Sequence, residues 1–169
     1  MAGFEERYYQ SADGLKLYYR DYGGHSDKPV VLCMPGLTRN SADFEDLAEA
    51  LAPDFHVLCA DQRGRGKSDY AADSATYTPP TYVEDMKALL DHAGVDKAIL
   101  MGTSLGGLMS MIMAATMGDR IQAIIMNDIG PDLASDGISR ILDYVGQVRK
   151  FSSWDETAAA IKELQGAAF

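Results

Sequence analysis

The chain has 169 residues, of which 47% are apolar and 24% charged, and it carries a net charge of −10 at pH 7. This length allows one domain with a substantial core. Scattered positive residues on an acidic chain disfavour nucleic acid and anionic membranes as partners. The N-terminus, MAGFEERYYQ, has charges where a signal peptide needs an apolar core, and no apolar run approaches bilayer length, so we expect a cytoplasmic protein.

The chain opens with a predicted antiparallel hairpin. Residues 14–20 place Leu15, Leu17 and Tyr19 on one face and more polar neighbours on the other, which is typical of a half-exposed strand. The turn signal Asp13-Gly14 separates this run from FEERYYQ, so we expect the two runs to pair.

Four short apolar runs then alternate with stretches of helical period. The runs lack polar alternation, which is typical of strands covered on both faces; they are VVLCM (30–34), FHVLCA (55–60), AILM (98–101) and AIIM (123–126). Between and after them, apolar residues recur at helical spacing over 44–51, 83–93 and 105–112. The alternation predicts an α/β fold: a mostly parallel sheet with helices on both faces and chemistry at the carboxyl ends of its strands.

The two cysteines lie inside these apolar runs. Neither Cys33 nor Cys59 has a second ligand nearby or a C-x-x-C spacing. We therefore expect buried free thiols rather than a disulfide or a metal site, and nothing in the sequence implies a metal or an organic cofactor.

Residues 61–69, DQRGRGKSD, contain GRGKS, which matches the end of the nucleotide-binding pattern G-x-x-x-x-G-K-[ST]. Five places before Gly66 the first glycine of that pattern is replaced by Asp61, whose carboxylate would repel phosphate. No helical run of apolar residues follows Ser68, so no helix N-terminus can add its dipole. The segment therefore predicts no nucleotide site.

The segment GTSLGG, residues 102–107, lies between the AILM run and a predicted helix, which is the strand–turn–helix context of the G-x-S-x-G nucleophile elbow. A sharp turn would lift the hydroxyl of Ser104 clear of the sheet, and the helix N-terminus would favour the negative charge that develops during attack. Gly102 and Gly106 are needed where the chain doubles back. The alternative is a helix N-cap serine between flexible glycines.

An oxyanion formed by attack of Ser104 requires two hydrogen-bond donors. The backbone N–H of Leu105 is the first candidate, because it directly follows the nucleophile. The second is the N–H of Leu37, in the MPGLTRN loop (34–40) after the VVLCM run. Taken alone, that loop is better interpreted as an ordinary strand-to-helix turn.

These segments together resemble the α/β-hydrolase superfamily: PGLTRN, DQRGRGKSD, GTSLGG and NDIGP (127–131) each follow a predicted strand, in order. The resemblance implies that the arginine–glycine loop is structural. It also implies a serine esterase-like hydrolase with a small-molecule substrate. Met34 and Thr103 depart from the pattern, since family members often carry histidine at both positions.

The triad of this fold has the chain order serine, acid, histidine, yet no histidine follows Ser104. We expect His25, His56 and His92 at the amino ends of the strands, out of reach. The resemblance implies two further strands that would complete the sheet and carry the histidine. The sequence is therefore interpreted as the front part of a longer enzyme. The missing part is a second chain, a partner in an assembly, or simply absent.

Residues 131–169 differ in character from the predicted core at 1–130. Apolar residues predict one amphipathic helix over 138–148 and a second over 154–165, with Ser153 as N-cap and Glu156 completing a capping box. By the resemblance, this segment begins a helical lid.

Asp128 follows the last apolar run, where some superfamily members place the triad acid. It is therefore either the acid that orients a histidine from outside the chain or a turn carboxylate that bonds backbone N–H groups. Two functions remain open. The first is a hydrolase that cleaves esters, thioesters, lactones or related substrates through an acyl-enzyme, the 169-residue chain alone being inactive; the second is a non-catalytic binding module with the same fold.

Overall fold

The computed structural model describes residues 3–23, 27–132 and 150–165. It divides into two compact units, Met1–Pro131 and Asp132–Phe169. The strands are β1 (Glu5–Gln10), β2 (Lys16–Tyr22), β3 (Val30–Met34), β4 (His56–Ala60), β5 (Ala98–Thr103) and β6 (Ile121–Asn127). The helices are α1 (Glu45–Leu51), α2 (Pro79–His92), α3 (Leu105–Met117) and α4 (Trp154–Gln165), with 3-10 turns at Ser41–Phe44, Ser74–Thr76 and Gly118–Arg120.

The six strands form one sheet in the order β1-β2-β4-β3-β5-β6. The β1–β2 and β2–β4 pairs are antiparallel, whereas β3 pairs in parallel with both β4 and β5, and β5 pairs in parallel with β6. The predicted α/β fold, with its N-terminal hairpin and its parallel strands, is confirmed.

Core residues cover both faces of the parallel strands, because neighbouring residues of a strand point to opposite faces. Leu32 and Leu58 pack in the cluster that includes residues of α2 and α3. Val31 and Val57 pack in the cluster that includes Phe44 and residues of α1. The helices therefore lie on both sides of the sheet, as the alternating pattern predicted.

Cys33 and Cys59 are partners in the parallel register of β3 and β4. Both are buried and free, which confirms the prediction for the two thiols. A hydrogen bond with Cys33, together with burial, raises the pKa of the Cys59 thiol well above its usual value. A thiol with a raised pKa is a poor nucleophile, so this pair belongs to the core.

The prediction that β2 is half exposed is wrong. Tyr18 and Tyr19, on opposite faces of the strand, retain only 1% and 3% of their surface. The reason is that β2 is an interior strand between β1 and β4, and that the ring of Tyr18 is covered by Lys67, whose Nζ lies 5.1 Å from the ring centroid. The local sequence pattern of a hairpin does not indicate whether its second strand pairs with a further strand, as β2 does with β4.

The β6 strand differs from the expectation of coverage on both faces. Ile125 and Met126 are 48% and 44% exposed. Helix α3 packs against the strand, but β6 is the last strand of the described sheet. The last strand of the described sheet therefore exposes apolar side chains.

The second unit contains α4, whose predicted N-cap is confirmed, since Ser153 Oγ accepts the backbone N–H of Glu156 at 3.2 Å. The predicted reciprocal bond is wrong by one residue. The Glu156 carboxylate accepts the backbone N–H and the hydroxyl of Ser152 at 2.8 Å and 2.6 Å, and these bonds lower the pKa of Glu156. The helix predicted over 138–148 lies outside the described residues, and the assignment of this unit to a lid stays a prediction.

No helix among the described residues combines the length and the apolar character that crossing a bilayer requires.

Candidate active site

Ser104 lies in a strained turn between β5 and α3. Its backbone has φ 50 and ψ −111, and only one other non-glycine residue of the described chain, Asp128, has positive φ. Such backbone values cost of order 1–3 kcal/mol and persist only where surrounding structure enforces them. Here the N–H of Ser104 bonds to the carbonyl of Asn127 at 2.9 Å, and its carbonyl accepts the N–H of Gly107 at 2.9 Å. The elbow is thus anchored to β6 and α3.

The hydroxyl of Ser104 is free within the described structure. The side chain is half-buried and makes no cap hydrogen bond to α3. The N-cap alternative is therefore not supported by the geometry, because an N-cap serine accepts a backbone N–H of the first helical turn.

Glycines allow three backbone segments to meet at the elbow. A Cβ on Gly102 would lie 2.2 Å from the carbonyl oxygen of Gly106, and a Cβ on Gly106 would lie 2.0 Å from that of Met34. Neither contact can be relieved by rotating a side chain, because both involve backbone atoms. The predicted need for glycine at these positions is met, and Met34 contributes its backbone to the contact while its side chain is buried.

The loop after β3 lies next to Ser104. A Cβ on Gly36 would be 3.8 Å from Ser104 Cβ and 3.8 Å from the Thr103 carbonyl oxygen. The N–H of Leu37, the next residue, makes no hydrogen bond to the described residues. Leu105 is the first residue of α3, where backbone N–H groups have no partner within the helix. Leu37 and Leu105, which carry the two predicted oxyanion donors, therefore directly follow two residues that lie close together, Gly36 and Ser104.

Asp128 lies just beyond β6, with φ 58 and an exposed side chain. Its carboxylate makes no hydrogen bond to the described residues, so the bonds expected of a turn carboxylate are not seen there. The preceding residue, Asn127, holds the N–H of Ser104. The strand end that carries Asp128 is therefore adjacent to the elbow.

The described histidines lie away from Ser104, as predicted. His56 pairs with Val30 in the register at the amino ends of β4 and β3, and its Nε2 lies 2.7 Å from Asp21 Oδ1. His92 ends α2, with its ring centroid 6.4 Å from that of Tyr9. His25 lies outside the described residues.

The GRGKS segment is occupied by the chain's own carboxylate. Asp61 accepts the N–H of Ser41 at 2.7 Å and that of Lys67 at 2.8 Å, and it is 2% exposed. Ser68 Oγ donates to the Asp61 carbonyl at 2.8 Å, and a Cβ on Gly66 would lie 1.9 Å from Asp61 Oδ2. The carboxylate thus fills the position that a phosphate would take in a nucleotide-binding loop.

The structure also contains an ion cluster around a buried arginine, which sequence reasoning missed. Arg63, 1% exposed, donates to both oxygens of Asp85 at 2.7 Å and to those of Asp13 at 2.9 Å and 3.1 Å. Bonding to Asp85, with Asp13, raises the pKa of Arg63, and the same contacts lower the pKa of Asp13. The partners are 22 and 50 residues from Arg63, so no local pattern indicated them.

Comparison with known proteins identifies the family. A family model for the alpha/beta hydrolase fold matches residues 29–167. The chain belongs to the alpha/beta hydrolase family. The match includes the loop after β3, the Asp61 loop and the Ser104 elbow.

Two relatives illustrate the similarity. A solved alpha/beta hydrolase from Novosphingobium aromaticivorans is 51% identical, with a TM-score of 0.89 over 96% of this chain and 57% of that one. A 3-hydroxybutyrate-oligomer hydrolase from Cupriavidus necator is 36% identical over 88% of this chain and 51% of its own length.

A lipase of Mycobacterium tuberculosis, LipV, is 32% identical over 78% of this chain and 47% of its own length. The chain therefore spans about half the length of the curated relatives it matches. These relatives are hydrolases, which supports a hydrolase of the same fold.

Proposed function

We propose that this protein is a serine-nucleophile hydrolase of ester-like substrates: esters, thioesters or lactones. The observation that carries the proposal is the free hydroxyl of Ser104 in a strained turn, beside the loop that contains Leu37. The name of the Cupriavidus necator relative supports it, because an oligomer of a hydroxy acid is joined through ester bonds.

The proposed reaction has two halves. Ser104 Oγ attacks the acyl carbon while a histidine takes its proton, and the oxyanion is held by the N–H groups of Leu37 and Leu105. Collapse expels the alcohol, which receives that proton, and leaves an acyl-enzyme. Water, deprotonated by the same histidine, then releases the acid and regenerates the hydroxyl of Ser104.

The histidine of this scheme comes from outside residues 1–169, because none of the chain's histidines follows Ser104. We propose that a further portion of the natural protein, or another chain, supplies it and completes the sheet beyond β6. Asp128, whose carboxylate makes no hydrogen bond to the described residues and lies at the adjacent strand end, is the proposed acid that orients this histidine.

The test uses the natural gene product, a fluorophosphonate probe and p-nitrophenyl butyrate. We expect the probe to label Ser104, and Ser104→Ala to abolish labelling and to lower kcat about 10⁴-fold or more. Ser74→Ala is the matched control, because Ser74 is exposed and lies in the Ser74–Thr76 turn; it should leave both readouts unchanged. Absence of Ser104-dependent labelling and turnover would overturn the proposal in favour of a non-catalytic binding module.

Asp128 is tested separately. Asp128→Asn keeps the shape of the side chain and removes the charge, so kcat should fall about 10⁴-fold if this carboxylate orients the histidine. Asp119→Asn, at an exposed carboxylate just after α3, is the control. Full activity of Asp128→Asn would assign the acid to another residue and leave the role of Ser104 intact.

A further inference from the structure

The loop between β4 and α2 carries two arginines with different partners. Arg63 is buried against two carboxylates, as described above. Arg65 makes no ion pair with a described carboxylate. Its Nε instead donates to the backbone carbonyl of Leu37, and its Nη1 donates to the carbonyl of Arg63 at 3.2 Å. The side chain thus connects this loop to the loop that carries a proposed oxyanion donor.

Arg65 is itself held in place on several sides. Its N–H bonds to the carbonyl of Gln62 at 3.0 Å, and its carbonyl accepts the N–H of Ser68 at 3.0 Å. Its guanidinium carbon lies 5.1 Å from the ring centroid of Tyr82, and Nη2 is 3.4 Å from the hydroxyl of that residue. An arginine held between backbone carbonyls and an aromatic face loses little further freedom when it orients a partner.

The contact with Arg65 fixes one of the two peptide groups that flank Leu37. The peptide before Leu37 is fixed by its carbonyl, that of Gly36, which accepts the N–H of Arg39 at 3.1 Å. The peptide after Leu37 is fixed by the bond from Arg65. Because the peptide groups on both sides of Leu37 are held, the N–H of Leu37 has a defined direction. A donor that is already oriented needs no reorganisation when negative charge develops on the substrate.

We propose that Arg65 is a positioning residue of the oxyanion site, which it serves through the Leu37 peptide without touching the substrate. This inference rests on the proposed function of Ser104. The positive charge of Arg65, which no described carboxylate pairs with, also favours negative charge that develops beside the Leu37 turn.

The test compares Arg65→Met and Arg65→Lys with Arg120→Met in the natural gene product. Arg120 is the matched control, because it also holds backbone carbonyls, those of Val95 at 2.6 Å and Asp96 at 3.2 Å, next to the amino ends of β5 and β6. Losing it removes the same two-carbonyl anchor far from Ser104, together with an ion pair to Asp91 at 2.5 Å, so this control is the more disruptive of the two changes. The measurements are kcat and KM for p-nitrophenyl butyrate, the rate of fluorophosphonate labelling, and backbone hydrogen exchange at residues 36–39.

We expect Arg65→Met to lower kcat about 10- to 100-fold with KM changed less than about threefold, which is less than the loss of a whole oxyanion donor. Exchange at 36–39 should accelerate. Arg65→Lys, which keeps the charge and a single donor, should recover part of kcat. Arg120→Met should leave kcat and the 36–39 exchange unchanged.

Unchanged kcat and unchanged exchange in a folded Arg65→Met protein would overturn this proposal. An equal loss of kcat in Arg120→Met would do the same, because it would reduce the effect to general loosening. If Arg65→Met does not fold, wild-type kcat and exchange in Arg65→Lys contradict the proposal. A wild-type protein with no Ser104-dependent labelling instead defeats the proposed function, while the exchange measurement still tests the anchoring.

Discussion

Ser68 and Ser104 lie in two glycine-rich turns, each beyond the carboxyl end of a parallel strand, yet their environments are opposite. Ser68 is 5% exposed; its Oγ donates to the carbonyl of Asp61 at 2.8 Å and accepts the N–H of Tyr18 at 2.9 Å. The hydroxyl of Ser104 is half-buried, makes no bond to the described residues and sits on a backbone with φ 50. Saturated polar groups indicate a structural turn, whereas strain with an unused hydroxyl indicates a functional one.

The largest expected effect comes from filling the space that the Ser104 turn requires. Gly106→Ala would place a Cβ 2.0 Å from the carbonyl oxygen of Met34. Because two backbone segments would have to separate, we expect the free energy of unfolding to fall by about 3–5 kcal/mol in urea titrations. Gly118→Ala, which meets nothing within 4 Å, should change it by less than about 0.5 kcal/mol. Similar stabilities of the two variants would contradict the close approach.

The next largest effect should come from removing the Asp61 carboxylate from the turn that contains Ser68. Asp61→Ala removes the acceptor of the Ser41 and Lys67 N–H groups, and we expect a loss of about 3 kcal/mol because both donors would be left without their bond. Thermal and urea unfolding measure it. Asp43→Ala, which removes a carboxylate whose partner Arg39 is exposed, is the control and should cost less than about 0.5 kcal/mol.

Truncating the two serines should have opposite effects: Ser68→Ala should lower stability more, and Ser104→Ala should lower activity more. Ser68→Ala should cost about 2 kcal/mol of unfolding free energy, since it leaves the N–H of Tyr18 in the sheet without its acceptor. Ser104→Ala should change stability by less than about 0.5 kcal/mol while abolishing probe labelling. A large stability loss on truncation of Ser104 would show that its hydroxyl has a structural partner, and the contrast between the turns would not hold.

The smallest expected effect is that of ATP, which should not stabilise the protein at all. The Asp61 carboxylate occupies the N–H groups that a phosphate would need, so millimolar MgATP should shift the melting temperature by less than about 1 °C in differential scanning fluorimetry. A nucleotide present at 100 times its Kd would stabilise by about 2.7 kcal/mol, a readily measured shift. A shift of that size would show that the loop can open.

Much of the fold was predictable because its signals are local. The apolar runs of β3 to β6, the periods of α1 to α3 and the N-cap at Ser153 all depend on residues within a few positions of one another. The location of Ser104 was predictable for the same reason. The elbow requires small residues at fixed offsets, and the structure gives steric grounds for Gly102 and Gly106.

The errors arose where strand order decides the environment. Tyr18 is buried because β2 is inserted next to β4, and Ile125 is exposed because β6 is the last described strand. A pattern of period two reports which residues share a face, but not what covers that face. The predicted capping box failed for a more local reason. The Glu156 carboxylate accepts the N–H of Ser152 rather than that of Ser153, and the reach of the side chain decides between the two.

The sequence by itself determined the parallel α/β core and the place of the proposed nucleophile at the end of β5, and it predicted that the GRGKS segment is not a phosphate-binding loop. These depend on backbone preferences and hydrophobic period, which neighbouring residues specify among themselves. Only the tertiary structure decided the pairing of Arg63 with Asp85 and the contact of Arg65 with the Leu37 carbonyl. Both join residues 22 or 28 positions apart, and a guanidinium meets its acceptor only after the packed strands bring the two loops to the same edge of the sheet.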